Sequence, residues 1–441
     1  MSGMAWLKGA ELSVGFRDRT PMPPEMRAPI MRTLILVSAT AIALTLSPPA
    51  TADPGTQPAR PPGETADLLL GTRIDGAIDR AIGNHRIIGT VVMIAQRGEL
   101  IYHRAAGFAD REAGRPMREN AIFRLASVTK PIVSAAVMKL VQDGKLGLDD
   151  PVTKWLPYFR PQLTEGDRPV ITLRHLLTHT SGLSYGLSEP GNPYHKFGIS
   201  DGLDMPKISL EGNLRALAEA PLFFRPGTAW HYSLSIDVLG AVLEKAAGAP
   251  LPNVVAAKVT QPLSMADTGF AVRDLSRLTA AYADGAPFPF RMEDPTELAH
   301  GGSVVRFAPG RATDPDAYPS GGAGMVGTAR DIFVFLETIR KGGAPILKTS
   351  TVREMMRDQI GPEISAQGTG WGFGYGWAVL NDPQTAGTPQ TRGTIQWGGV
   401  YGHSWFVDPE RELTVVALTN TAVEGMDGRF PTELRDAVYG R

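Results

Sequence analysis

The sequence contains no cysteine, and this absence excludes several kinds of chemistry at once. Without thiols the chain has no disulfides, no thiolate metal sites and no lipid-modified N-terminal cysteine. An excess of one charge is also missing, because 44 Lys and Arg residues face 45 Asp and Glu residues. Runs of Lys or Arg are absent as well, so nothing in the composition indicates binding to nucleic acid or to an anionic membrane.

The longest apolar run lies near the N-terminus and is short for a membrane span. Residues 31–52 combine Arg32, this apolar run and the small-residue sequence Ala50-Thr51-Ala52. The pattern predicts a secretory signal peptide that is cut before Asp53, and an exported mature protein without a stable membrane span. An uncleaved anchor or a fortuitous N-terminus is the alternative; an unused signal would leave the protein cytoplasmic.

The order of strand and helix patterns predicts the architecture of the remaining chain. Strand patterns dominate both ends, and helical patterns with long loops fill the middle. The two ends must meet to build one antiparallel sheet. We therefore predict an α/β (α+β) domain from residues 65–126 and 330–441, with an inserted, mainly helical domain at 127–329. Residues 1–30 are predicted to be disordered or an over-extended start, and the Pro/Gly-rich residues 53–64 a linker.

Hydrophobic periodicity also sets the expected bounds of individual elements. Helices are predicted at 65–82, from Ser127 to near Gly144, at 172–180, 214–219, 236–247, 328–341 and 431–438. Strands are predicted at 89–95, 100–106, 374–380, 394–398, 402–407 and 413–419. The irregular segments 184–208 and 287–320 are expected to shape a pocket between the two lobes.

The first candidate site is the pair Ser127 and Lys130, three residues apart. On a helix this spacing places both side chains on one face, and Pro131 favours a first turn, so the helix should start near Ser127. A serine there lies at the positive end of the helix dipole, and a lysine in a dry cleft can accept a proton. The pair indicates Ser–Lys nucleophilic catalysis. An N-cap serine beside a surface lysine is the alternative that fits most bare S-x-x-K matches.

Two further segments add candidate groups. Tyr232 lies in a loop before a predicted helix, where it can act as a general base or relay protons; the alternative is a half-buried loop aromatic. Gly398 and Gly399 lie on a predicted strand, where glycine lets a ligand approach the backbone. The N–H of Val400 is then expected to pair with that of Ser127 as an oxyanion hole.

These three motifs in this order resemble the serine β-lactamase and penicillin-binding-protein superfamily, most closely its class C-like branch, over about residues 65–440. Two departures stand out. Leu234 occupies the position of the asparagine in the Tyr-Ser-Asn motif, and Trp397-Gly398-Gly399 occupies that of Lys-Thr-Gly. Tyr-Ser-Leu together with Trp-Gly-Gly looks like the family VIII carboxylesterases.

The resemblance implies roles for the motif residues. Ser127 would be the nucleophile of an acyl-enzyme, with Lys130 and Tyr232 as the base and proton-relay pair. Trp397 and Leu234 would make the substrate pocket apolar, beside Gly398 and Gly399. The implied activity is a carboxylesterase for short-chain, uncharged small-molecule esters, with no metal or organic cofactor.

Several alternatives stay open at this point. A β-lactamase or D-alanyl-D-alanine peptidase would share the acyl chemistry, and weak cephalosporin hydrolysis is credible, but the missing strand lysine removes the anchor for a substrate carboxylate. A non-catalytic sensor on the same fold is an alternative of another class. Transfer of the acyl group to an alcohol instead of water, and the oligomeric state, are not decided by the sequence.

Other motifs suggest competing sites. Ser184, in Gly182-Leu183-Ser184-Tyr185-Gly186, matches the G-x-S-x-G nucleophile elbow, but no strand pattern precedes it. His175 and His179 have the spacing of a zinc helix without its glutamate or an evident third ligand, so we expect structural histidines. His403 follows the glycine strand and could line the cleft or aid deacylation, but a triad role lacks an acidic partner.

Overall fold

An eight-stranded antiparallel sheet, built from both ends of the chain, forms the centre of the computed structural model, which describes residues 62–186, 192–204, 207–300, 302–364, 366 and 368–441. In spatial order its strands are Trp371–Phe373 (β10), Ala378–Leu380 (β11), Ile395–Gly399 (β12), His403–Asp408 (β13), Leu413–Thr419 (β14), Gly89–Gln96 (β1), Glu99–Asp110 (β2) and Arg115–Pro116 (β3). The predicted fold class is thereby confirmed. The predicted signal peptide and start segment, and most of the predicted linker, lie outside the described residues.

Strand β1 is buried on both faces, and its alternating side chains serve two different cores. Val91 and Met93 pack into the larger core, on the side of the helical part. Val92 and Ile94 pack into a smaller core beneath the first and last helices, Pro62–Gly83 (α1) and Arg429–Tyr439 (α10). Because alternate side chains of β1 pack into both cores, this strand links the larger core to the core beneath α1 and α10.

Most of the other helices lie between the sheet-forming ends. They are Thr129–Gln142 (α2), Leu173–Leu177 (α3), Leu210–Glu219 (α4), Ser235–Ala247 (α5), Leu251–Val255 (α6), Ala329–Arg340 (α7), Thr349–Met355 (α8) and, after the sheet, Glu424–Asp427 (α9). Three small strand pairs accompany them: Phe123–Arg124 (β4) with Val326–Gly327 (β9), Tyr282–Ala283 (β5) with Phe290–Arg291 (β6), and Thr296–His300 (β7) with Ser303–Phe307 (β8). Among the described helices, none combines the length and apolar character that a membrane crossing needs. The boundaries predicted for the two domains stay a prediction, since both parts belong to one compact unit, residues 60–441.

Several predicted elements differ from the structure, and the helices predicted at 172–180 and 214–219 are Leu173–Leu177 and Leu210–Glu219. The strand predicted at 374–380 is confined to β11, which begins at Ala378. Residues 374–377 form the turn from β10, in which Gly376 has φ +107°, a conformation that only glycine adopts easily. The helix predicted from Ser127 begins at Thr129, because residues Ala126–Val128 form a 3₁₀ turn in which Ala126 has a left-handed φ of +44°. The nucleophile candidate thus lies in a tight turn before α2 and not within the α-helix.

Candidate active site

Ser127 and Lys130 are brought together where β4 leads into α2. Lys130 Nζ lies 3.1 Å from Ser127 Oγ, and it also donates a hydrogen bond of 2.8 Å to the carbonyl oxygen of Gly322. Lys130 is almost fully buried, with 1% of its surface exposed. Since the left-handed backbone of Ala126 is uncommon for a residue with a side chain, the turn is held in a conformation that its surroundings must enforce. The surface-lysine alternative does not fit this burial.

Tyr232 approaches the same oxygen from the loop before α5. Its Oη lies 2.6 Å from Ser127 Oγ, so Ser127, Lys130 and Tyr232 form one hydrogen-bonded group. The His179 ring packs against Tyr232 with centroids 4.9 Å apart, and the Ser233 N–H donates to His179 Nδ1 at 3.3 Å. Burial and the nearby Lys130 hold the pKa of His179 well below its ordinary value. The buried His179 ring therefore packs against the tyrosine that reaches Ser127.

The environment of Lys130 consists of aromatic rings and a carbonyl. Its Nζ lies 4.5 Å from the ring centroid of Tyr232 and 5.3 Å from that of Tyr185. Within the described part of the chain, no carboxylate forms an ion pair with it. Because Lys130 Nζ lies within hydrogen-bond distance of Ser127 Oγ, its position suits a general base for that hydroxyl.

The glycine-rich strand β12 forms the opposite side of the site. Strand β11 pairs only with Ile395 and Gln396, so the part of β12 from Trp397 onward presents an open edge. The Gly399 carbonyl accepts from the Gly402 N–H on the β13 side, and alternate residues of a strand point to opposite edges. The backbone N–H and C=O groups of Gly398 therefore point to the open edge.

Gly399 itself packs against the turn that carries Ser127. A Cβ added at Gly399 would clash with the Leu125 carbonyl oxygen and lie 3.1 Å from His403 Cδ2 and 3.2 Å from Val128 Cγ2. Glycine at this position lets β12 pack directly against the turn that carries Ser127. Val400, the next residue, lines the same cavity as Ser127, and the role of its N–H in an oxyanion hole stays a prediction.

A cavity of about 670 Å³ opens at Ser127. Near the nucleophile its wall includes Tyr185, Asp201, Leu203, Trp230, Tyr232, His300, Val305, Ala323, Trp397, Gly398 and Val400. Residues of both segments predicted to be irregular, 184–208 and 287–320, contribute to this wall, as expected, although the second segment contains the β7–β8 hairpin. The residues that line the cavity also include Met426, Thr432 and Arg435. Its volume lies within the range of small-molecule sites in proteins.

Leu234 does not line this cavity, and the expectation that it contacts substrate is wrong. Its side chain is fully buried in the larger core, and its N–H donates to the Ser184 carbonyl at 3.3 Å. The chain turns into α5 at this residue, so Tyr232 points to the cavity while Leu234 points inward. Of the residues in the strand motif, Trp397 and Gly398 line the cavity. Gly399 does not line it and packs against the turn that carries Ser127.

The competing motifs do not form a second site. Ser184 is fully buried outside the cavity wall, with its Oγ 3.0 Å from His231 Nε2, and a loop, not a strand, leads to it. His175 belongs to the capping box at the start of α3. Among the described residues no group of three or more His, Asp or Glu side chains is placed to hold a metal ion. His403 is buried and donates from Nε2 to the Arg124 carbonyl at 2.7 Å, which ties β13 to the segment before Ser127.

Sequence reasoning missed three groups that surround Lys130. Tyr185 was noted only as part of the elbow motif, and Gly322 and Asp237 were not considered. Gly322 lies in the run Ser320-Gly321-Gly322-Ala323-Gly324, and Asp237 follows Tyr232 by five residues. These two features are the signals that could have drawn attention to them.

With this geometry established, the chain can be assigned to a family. It belongs to the beta-lactamase family, whose profile, described as "Beta-lactamase", matches residues 74–439. This confirms the superfamily that the three motifs resemble. Individual relatives then place it near esterases of that family.

Esterase EstB from Burkholderia gladioli is 55% identical over 376 residues, which cover 84% of this chain and 96% of that protein. Lovastatin esterase from Penicillium rubens is 27% identical and spans 82% of this chain and 96% of its own length. The solved structure of "EstCE1, a hydrolase with promiscuous acyltransferase activity" is 52% identical with a TM-score of 0.83, covering 85% of this chain and 100% of that one. The resemblance to the carboxylesterase branch is therefore confirmed.

Proposed function

We propose that this protein is a serine carboxylesterase that cleaves short-chain acyl esters through an acyl-enzyme on Ser127. The observation that carries the proposal is the hydrogen-bonded group in which Lys130 Nζ and Tyr232 Oη both lie within 3.1 Å of Ser127 Oγ, at the wall of the cavity. The esterase names of the 55% and 52% identical proteins support it.

Acylation follows from the positions of these groups. Ser127 Oγ attacks the ester carbonyl carbon while its proton passes to Lys130, directly or through Tyr232. The N–H groups of Ser127 and Val400 then stabilise the tetrahedral oxyanion. As the bond from carbon to the alcohol oxygen breaks, Tyr232 supplies that oxygen with a proton, which Lys130 replaces. Water attacks the acyl-enzyme by the same route and regenerates the Ser127 hydroxyl.

The wall of the cavity near Ser127 favours an uncharged ester. Trp230, Tyr232 and Trp397 are neighbouring aromatic rings, with Tyr232 and Trp397 centroids 5.3 Å apart. Trp397 stands where the resembled β-lactamases carry a lysine that grips a carboxylate. Fast hydrolysis of penicillins is therefore not expected, while slow turnover of cephalosporins stays compatible with the same acyl chemistry.

The test is intact-mass analysis after mixing with a short p-nitrophenyl ester. We expect a burst of p-nitrophenol and an acyl adduct on the wild type, and neither on Ser127→Ala. Ser184→Ala is the matched control, because Ser184 lies outside the cavity wall and should keep the burst. Turnover that survives in Ser127→Ala would refute the nucleophile, and a wild type without burst, adduct or turnover would favour the sensor alternative.

Acyl transfer to an alcohol is a second candidate, favoured by the description of the 52% identical EstCE1 as a hydrolase with promiscuous acyltransferase activity. The aromatic wall gives an alcohol an apolar surface on which to displace water before it attacks the acyl-enzyme. Addition of a primary alcohol during ester turnover should yield the new ester together with the free acid. Formation of the acid alone at every alcohol concentration would leave hydrolysis as the single activity.

A further inference from the structure

Asp237 is a buried carboxylate that the mechanism above does not use. It lies in the first turn of α5, is fully buried, and its Oδ1 accepts a 2.6 Å hydrogen bond from Ser320 Oγ. Its Oδ2 is buried and makes no hydrogen bond of ordinary geometry within the described part of the structure, although the Gly322 amide lies close enough to stabilise its charge. Because an unpaired buried carboxylate oxygen is costly, its placement calls for a compensating charge nearby.

Gly322 connects this carboxylate to the proposed catalytic base. Its carbonyl oxygen accepts from Lys130 Nζ at 2.8 Å. On its other side, a Cβ added at Gly322 would clash with Asp237 Oδ2 and lie 3.1 Å from Tyr185 Oη. Gly322 therefore lies between Asp237 and Lys130, and it leaves no room for a side chain of its own on the Asp237 side.

We propose that ionised Asp237 is the counter-charge that stabilises the ammonium form of Lys130 during acylation, and that it is a positioning residue that acts through the Ser320–Gly322 segment. The proposal rests on the Ser–Lys–Tyr function proposed above. When Ser127 Oγ bonds to the ester carbonyl carbon, its proton converts the Lys130 amine to an ammonium. A buried ammonium without an anion nearby is costly, and Asp237 offsets that cost without forming a direct ion pair.

The groups around Asp237 have opposing effects on its pKa. Burial raises the pKa of Asp237, while the Ser320 hydroxyl, Lys130, the Gly322 amide and Arg311 oppose that rise. The first turn of α5 adds the positive end of a helix dipole, which also favours the carboxylate form. The titratable and charged groups that interact with it are Lys130, Tyr185, Arg311 and Tyr318.

The two tyrosines among these groups are neutral. Burial raises the pKa of Tyr185 and of Tyr318 above the ordinary tyrosine value, and Asp237 contributes to both shifts. Arg311 is already occupied, because it donates to the Asp204 carbonyl at 2.9 Å and lies 4.4 Å from the ring centroid of Tyr318. Lys130 is therefore the basic residue near Asp237 that gains and loses a proton in the proposed reaction.

The test compares Asp237→Asn with the wild type in the pH dependence of kcat/KM for a neutral ester. Asparagine keeps the shape of the side chain and removes the charge. Without the anion the ammonium form is less favoured, so the apparent pKa of the acid limb should move to lower pH by about one unit. The plateau of kcat/KM should fall about tenfold, the equivalent of one pKa unit in the protonation of the base.

Asp331→Asn is the matched control. Asp331 is also a buried carboxylate near the start of a helix, and burial raises its pKa as well, but it accepts hydrogen bonds from Thr268 and from the Asp267 N–H, outside the cavity wall. This variant should leave the acid limb where it is in the wild type, even where it lowers the melting temperature.

An acid limb that stays in place in Asp237→Asn would overturn the proposal, because asparagine would then simply replace a neutral acid. If Asp237→Asn does not fold, Ser320→Ala answers the same question. It removes the hydrogen bond that stabilises the carboxylate, so the limb should shift in the same direction by a smaller amount, and an unmoved limb would again overturn the proposal. Failure of the proposed function itself is distinguishable, since it would appear as turnover that survives in Ser127→Ala.

Discussion

Substitution of Gly399 by alanine should disable the site without removing any reactive group. The added Cβ would overlap the Leu125 carbonyl oxygen, two residues before Ser127. Strand β12 and the nucleophile turn would have to separate by about 1 Å to restore an ordinary contact, and a misplacement of that size costs about 10²-fold in rate. We expect kcat/KM for a short p-nitrophenyl ester to fall by about that factor.

The side chains next to Gly399 determine which atoms must move when β12 and the turn that carries Ser127 separate. His403 Cδ2 and Val128 Cγ2 would lie 3.1 and 3.2 Å from the new Cβ, and both side chains are buried, so neither can move aside into solvent. Overpacking of this kind destabilises a fold by about 1–3 kcal/mol. The loss of activity should therefore exceed what the fraction of unfolded protein explains, as measured by thermal unfolding at the assay temperature.

Gly269→Ala is the control for this prediction. A Cβ at Gly269 would meet no atom within 4 Å, and the residue does not have a positive φ. Its kcat/KM should match that of the wild type. If Gly399→Ala also stays within about twofold of the wild type, the scatter expected of a neutral substitution, the close approach of β12 to the turn does not position the reaction and the reasoning is refuted.

Two further predictions concern the same group of residues. Tyr232→Phe removes the Oη that lies 2.6 Å from Ser127 Oγ, so kcat/KM should fall by about 10²–10⁴, and a smaller loss in the same ester assay would argue against proton transfer by Tyr232. Burial lowers the pKa of His403 to about 4, below its ordinary 6.5, so its contribution to stability is present above pH 6.5 and is lost as pH falls toward 4. That loss amounts to about 3 kcal/mol in the free energy of unfolding, and denaturant titrations of His403→Gln should show a correspondingly shallower decline with falling pH.

The sheet could be predicted largely because its strands carry strong local patterns. Strand β1 alternates two kinds of buried contact, and the Arg97–Gly98 turn supplies two consecutive positive φ values that suit a two-residue hairpin. The β7–β8 hairpin was not predicted, since Val304 and Val305 are adjacent apolar residues in the sequence, although in the structure Val304 is half exposed and Val305 is buried. The break between β10 and β11 depends on packing around Gly374 and Gly376, which the local sequence does not show.

The candidate site could be predicted where short motifs bring their residues together. Ser127 and Lys130 are joined by a single turn, and Tyr232 was recognisable by its place before a helix. Gly322 could not be predicted as a partner of Lys130, because 192 positions separate them and a backbone carbonyl leaves no mark on the sequence. Leu234 was misassigned because the motif gives its position in the chain but not the turn that directs it into the core.

The replacement of a strand lysine by Trp397 has an energetic consequence for substrate choice. Apart from Lys130, which adjoins the cavity, the basic groups in the described part of its wall are His300 and Arg435. Arg435 is bound to Asp436 at 2.8 Å, and His300 lies 3.8 Å from Asp427. A substrate carboxylate beside Trp397 would thus lose hydration without gaining a charged partner, at a cost of at least about 1–3 kcal/mol, or about tenfold to a hundredfold in binding. Neutral esters avoid that cost, so the cavity wall beside Ser127 favours uncharged acyl groups over substrates that carry a carboxylate.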